Sequence, residues 1–258
     1  MSNVVAHAEQ HAHAHHPALR HHFDTMSQQK EAAVVGMWVF LLTEILFFGG
    51  LFAAYMIYRV WYFDAFAEAS RRLSLFWGGL NTAVLIGSSL TMAMAVRGAQ
   101  TNKRTATVNW LILTMLLGCV FLGVKVIEYE DKFANYEVPG PSFNWLAHEQ
   151  HEAAAGEHAA APAASEGTGE HRTLSLTPEQ LQRTTQIYFS LYFTMTGLHA
   201  LHMIIGIGLM SVITWMAWKG KFDEHYYTPV EMSGLYWHFV DIVWIFLFPL
   251  LYLVERHT

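Results

Sequence analysis

Five almost wholly apolar runs, each about twenty residues or longer, divide the chain and restrict it to one kind of architecture. They cover roughly Val34 to Tyr58, Leu75 to Val96, Val108 to Ile127, Ile187 to Trp218 and Met232 to Val254. Each is long enough to cross the hydrocarbon core of a bilayer as a helix and too continuously apolar for the strand of a barrel. Lipid offers no partner to a free backbone amide, so the segments must close their hydrogen bonds within themselves. The chain is therefore expected to be all-α, an integral membrane bundle of five transmembrane helices. Composition agrees: 53% of the 258 residues are apolar and 14% charged, against about 25% charged in soluble domains.

The segments outside these runs differ sharply from them. Residues 1–30 form a tail whose stretch AHAEQHAHAHHPALRHH holds seven of the sixteen histidines. Residues 31–136 carry spans one to three, residues 137–186 a polar insertion containing HEQHEAAAGEHAAAPAASEGTGEH, and residues 187–258 spans four and five. Low-complexity Ala, Glu, Gly and His bury too little apolar surface to offset chain entropy, so most of the tail and the insertion are expected to be disordered or loosely attached. The tail's imidazoles suit either a solvated segment or a collector of protons or metal ions. No apolar core of a secretory leader is visible in the first thirty residues. The net charge of −6 comes from acidic residues gathered in the insertion, no basic stripe points to nucleic acid, and the lone Cys119 excludes an internal disulfide framework.

Basic residues near the span ends do not orient the bundle. Arg20, Lys30, Arg97, Lys103, Arg104, Lys219 and Lys221 fall on one side, and Arg59, Arg71, Arg72, Lys132, Arg172, Arg183 and Arg256 on the other.

Ionisable residues inside the runs are the informative ones, because each costs at least ~2.5 kcal/mol at mid-bilayer and must face a partner or a polar cavity. They are Glu44, Lys125, Glu128, His199, His202, His238 and Asp241. Residues three apart share a helix face, so His199 with His202, and His238 with Asp241, each form a polar patch. Glu44 has no ionisable neighbour in its own span and is expected to find one, His199 or His202, on another. His238 and Asp241 are expected to bond across to neighbouring helices or to lipid and so fix the register of the last span. Pro249 removes a donor and leaves the carbonyl of Ile245 free, which predicts a bend. Gly49, Gly50, Gly78, Gly79, Gly87, Gly206 and Gly208 are expected to let helix backbones approach closely. Beyond the fourth span, Lys219, Lys221 and His225 are candidates to hold an anionic phospholipid headgroup.

Two roles suit the intramembrane histidines on these grounds alone. His199 or His202 with His238 could ligate a haem from two facing helices; a copper or zinc ion would need three or four convergent ligands. Alternatively each imidazole is simply hydrogen-bonded between helices, as buried polar groups must be. Trp237, Trp244 and Phe248 lie at helical spacing and read as packing or interfacial residues.

Several stretches together carry a resemblance. VGMWVFLLTEILFFGGLFAAY, LNTAVLIGSSLTMAMA, GVKVIEYEDKF, MTGLHALHMIIGIG and YWHFVDIVWIFLFPLLY, in this order, resemble subunit III of the haem-copper terminal oxidases, the cytochrome c oxidase subunit III family, in its five-helix bacterial form. The resemblance implies a non-catalytic subunit of a complex that reduces oxygen to water and translocates protons in aerobic respiration. It implies no cofactor and no catalytic or metal site in this chain, with haems and copper in subunits I and II, and packing mainly against subunit I. Bound phospholipid, support of proton uptake and stability during turnover are implied as well. So are a bacterial inner-membrane location, a cytoplasmic N-terminus, and the C-terminus and the 137–186 insertion outside. The insertion departs from the family, whose corresponding connector is short. Contact with a cytochrome c or quinol-oxidising complex in a supercomplex is a further possibility. Glu44 and WHFVDIVWIFLF look more like cytochrome c oxidases than quinol oxidases. The competing readings are a membrane haem-binding anchor and a helper subunit of nitric oxide reductase.

Overall fold

The computed structural model describes residues 17–140, 143, 177–223 and 226–253. Within them the chain forms six α-helices: α1 (Met26–Trp61), α2 (Phe63–Arg71), α3 (Leu75–Gln100), α4 (Arg104–Ala134), α5 (Pro178–Trp218) and α6 (Thr228–Phe248), the last continuing into a π-helical turn at Pro249–Leu253. Five helices are long and apolar enough to cross a membrane. The His-rich residues 1–16 and residues 141, 142 and 144–176 of the insertion lie outside the described residues.

The helices outrun the apolar runs because polar caps start them early. Thr25 accepts a hydrogen bond from the Gln28 amide and opens α1 eight residues or so before Val34. Thr177 and Gln180 form a reciprocal capping box with Pro178 behind it, so α5 begins inside what reads as insertion. At the far end of α5, Gly220 takes φ +69° and the Lys221 amide reaches back to the Met216 carbonyl. This left-handed closure suits glycine and ends the helix.

The connector FDAFAEASRRL is not merely polar: it folds as α2. Ala65, Phe66, Ala69 and Ser70 are fully buried, and Phe66 meets Tyr188 of α5 with ring centroids 5.3 Å apart. The boundary at residue 137 also shifts inward. Glu137 is buried just after α4, 2.7 Å from Lys132 Nζ and 3.4 Å from Arg72 Nη1, while Lys132 also donates to the Arg72 carbonyl.

Helix α1 is attached by a narrow seam. Its buried residues are Leu41, Phe48 and Tyr55, seven apart, while Val35, Trp38, Val39, Leu42, Ile45 and Leu46 face outward. The wide apolar remainder is left uncovered by the other described helices. In contrast, α6 is buried along much of its length, with Trp237 and Trp244 fully enclosed.

Close helix approaches occur at fewer of the expected glycines. A β-carbon at Gly78 would stand 2.7 Å from the Phe248 ring, and one at Gly206 would stand 3.1 Å from Trp237. Gly49, Gly50, Gly79 and Gly208 meet nothing within 4 Å, and Gly87 only the tip of Leu117, so the expectation that these glycines are needed for close packing is corrected: among the described residues each has room for a β-carbon. The tight contacts fall instead at Gly118, where a β-carbon would be 2.8 Å from Trp237, and at Gly98, 2.9 Å from Thr107.

Candidate functional site

The polar residues of the spans gather at several depths, and each group joins helices distant in sequence. At the N-terminal end of α1, Lys30 donates to the Tyr227 hydroxyl at 3.1 Å and lies 3.2 Å from Glu231, whose other oxygen accepts from Gln100 at 3.0 Å. α1, α3 and α6 are thereby tied at one rim.

Deeper, Glu44 Oε2 meets His202 Nε2 at 3.2 Å, and His202 Nδ1 lies 2.8 Å from the Leu198 carbonyl of its own helix. If Nδ1 carries the proton that serves that carbonyl, Nε2 either accepts from a protonated Glu44 or becomes a donor in the imidazolium. Of the two histidines open to Glu44, the structure brings His202 to it. His199, one turn away, is completely buried between Phe121 and Trp244, each with ring centroids 5.3 Å from it, and neither of its nitrogens is bonded among the described residues. Replacing Glu44 by Ala is expected to cost about 0.6–1.7 kcal/mol, and markedly less when His202 is already Leu. A double-mutant cycle on detergent unfolding measures this; additive costs would mean the contact is energetically silent.

The most complete network surrounds Lys125. Its ammonium donates to Glu128 Oε2 at 2.9 Å, to Tyr252 Oη at 2.9 Å and to Tyr192 Oη at 3.3 Å. Tyr192 then donates to Glu128 Oε1 at 2.7 Å, and Tyr252 donates to the same oxygen. All three protons of the ammonium thus have acceptors. The indole of Trp244 covers it, 4.8 Å from the nitrogen to the ring centroid. The π-helical turn starting at Pro249 carries Tyr252 into this cluster, the local consequence of the missing proline donor. The spacing of Lys125 and Glu128 is readable from sequence; the two tyrosines, from α5 and the end of the last span, are not.

On α6, His238 and Asp241 do not bond one another. His238 Nδ1 lies 2.7 Å from the Ser89 hydroxyl of α3, and Asp241 is buried beside the same serine. Although serine, histidine and aspartate meet here, they do not form a nucleophilic relay, since the serine occupies the nitrogen an orienting carboxylate would need. Next to His238, Trp237 donates its indole N–H to Ser88 at 2.8 Å, and Trp244 donates to Thr82 at 3.1 Å, so α6 is stitched to α3 along its length.

Among the described residues no three His, Cys, Asp or Glu side chains converge as metal ligands would. For the expected headgroup site, Lys219 lies 4.0 Å over the Trp215 ring and Lys221 is exposed, while His225 lies outside the described residues.

A bundle of apolar helices fastened by internal polar clusters defines a multi-pass membrane protein whose conspicuous chemistry is structural. Comparison makes the class specific. A family profile described as cytochrome c oxidase subunit III matches residues 178–255, a range that contains α5, α6 and the π-helical turn. Over 234 residues the chain is 29% identical to cytochrome c oxidase subunit 3 of Thermostichus vulcanus, covering 90% of this chain and 92% of that one. It is 26% identical over 221 residues to cytochrome bo(3) ubiquinol oxidase subunit 3 of Pseudomonas aeruginosa, covering 86% and 84%. A probable quinol oxidase subunit 3 of Staphylococcus aureus is 25% identical over 231 residues, covering 90% and 93%. The chain belongs to the cytochrome c oxidase subunit III family. It is a subunit of a haem-copper oxidase.

Proposed function

We propose that this chain is the non-catalytic subunit III of a cytochrome c oxidase, packed against subunit I, where it binds phospholipid and sustains proton uptake and turnover while its partners reduce oxygen. The observation that carries the reading is internal pairing. Lys125, Glu128, Glu44 and His202 answer one another within the bundle, which suits groups spent on holding helices together. The haems and copper of such a complex then reside in subunits I and II. Relatives named for both cytochrome c and quinol oxidases match over most of this chain, so the electron donor is decided by those partner chains.

Purification of the complex from native membranes tests the reading. The chain is expected to co-migrate with haem-bearing and copper-bearing subunits. A variant complex lacking it is expected to begin oxygen reduction at a near-normal rate and to lose activity during sustained turnover. A Soret band in the isolated chain would support the haem-anchor alternative instead.

A further inference from the structure

The Ser89–His238–Asp241 cluster is a polar group of the spans that the described residues leave incomplete and that opens on the outer surface of the bundle. Asp241 is 2% exposed, neither carboxylate oxygen has a donor in full bonding geometry, and Ser89 is the described donor beside it. Ser89 has a single proton to give and stands on His238 Nδ1. Whichever tautomer the imidazole takes, at least one Asp241 oxygen lacks a donor. No described group bonds His238 Nε2. This imidazole lines three neighbouring grooves of about 390, 450 and 510 Å³ on the outer surface of α6. Ile86, Leu90 and Ile242, each at least half exposed, edge the groove that also contains Ser89 and Asp241.

Depth decides what can complete it. Asp241 stands roughly 20 Å along the span that starts at Thr228, near its middle, and Ser89 holds the same position in α3. Lipid headgroups lie about 15 Å away at either face, and acyl chains there have neither donor nor acceptor. A polar atom at this level therefore arrives on another membrane helix.

We propose that the cluster is a socket for a side chain that both donates and accepts, a hydroxyl or carboxamide, on a transmembrane helix of another oxidase subunit seated between α3 and α6. Its donor answers Asp241, His238 Nε2 takes its second bond, and Ile86, Leu90 and Ile242 cover the helix around it. This assignment rests on the reading of the chain as an oxidase subunit.

A photo-crosslinking residue at Leu90 or Ile242, in the complex assembled in native membranes, is expected to label another oxidase subunit. Asp241→Leu is expected to reduce the amount of this chain retained per complex roughly tenfold after detergent washing, while Asp241→Asn keeps most of it. Thermal unfolding of the isolated chain separates docking from folding: Asp241→Leu is expected to leave its midpoint unchanged or raised, since it removes an unanswered polar group. Adducts with lipid alone or with a second copy of this chain overturn the socket. So does full retention of Asp241→Leu, or a loss matched by collapse of the isolated chain. If the unaltered chain purifies without any oxidase subunit, the functional reading falls along with the socket; if it co-purifies and the labels miss, the socket alone falls.

Discussion

Replacing Lys125 by Met, with Glu128 left in place, is expected to destabilise the bundle by about 3–5 kcal/mol, the cost of stranding a buried charge whose partner has gone. The magnitude follows from closure of the network. Lys125 and Glu128 are 3% and 5% exposed, so water cannot replace the lost ammonium, and the two tyrosines already direct their protons to one Glu128 oxygen. Removing both ionised partners together, as Lys125→Met with Glu128→Gln, is expected to recover a substantial part of the loss, because no unpaired charge remains and the carboxamide can still accept from a tyrosine. Tyr252→Phe removes one bond and is expected to cost about 1 kcal/mol. Detergent titration followed by tryptophan fluorescence measures all three. A single-variant cost below that of Tyr252→Phe would mean the ion pair adds nothing.

Trp237→Ala is expected to cost about 3–5 kcal/mol as well, by a different route. The indole is fully buried, held by its bond to Ser88 and enclosed by Gly118 and Gly206, which have no β-carbons to spare it. Truncation leaves a cavity where α3, α4, α5 and α6 meet and strands the Ser88 hydroxyl. Trp237→Phe keeps most of the volume and loses the hydrogen bond, so it is expected to fall well short of the alanine variant. Gly118→Ala should approach from the opposite side, adding the atom that the ring has no room for, at about 1–3 kcal/mol. Thermal unfolding in micelles ranks the three; equal midpoints for Trp237→Ala and Trp237→Phe would mean that the ring's volume is not what stabilises the junction.

The spans themselves were legible because hydrocarbon imposes length and apolarity on any helix that crosses it. Their rotation was not. A soluble helix shows its inner face by an apolar stripe, but α3 and α5 are apolar nearly all round. Sequence therefore could not separate Gly78, which meets Phe248, from Gly79 beside it, which meets nothing. The same ambiguity left Glu44 two histidines, three residues apart and about 60° around α5, and only the packed angle chose His202. α2 escaped notice because its charges suggested a loop, although Ala65, Phe66 and Ala69 share the buried side of a short helix. Glu137 looked like the start of a soluble insertion; Lys132 and Arg72, far apart in sequence, make it part of the bundle.

The seam of α1 sets an order on biogenesis. Within this sequence α1 is synthesised before the two spans that supply these partners: Glu44 waits for His202, Phe48 for Phe239, and Lys30 for Tyr227 and Glu231. Until those segments are synthesised, α1 must persist in lipid without these bonds, which its oily circumference permits. Docking of α1 is thus a closing act, and a nascent chain truncated before residue 178 would be inserted yet unlatched.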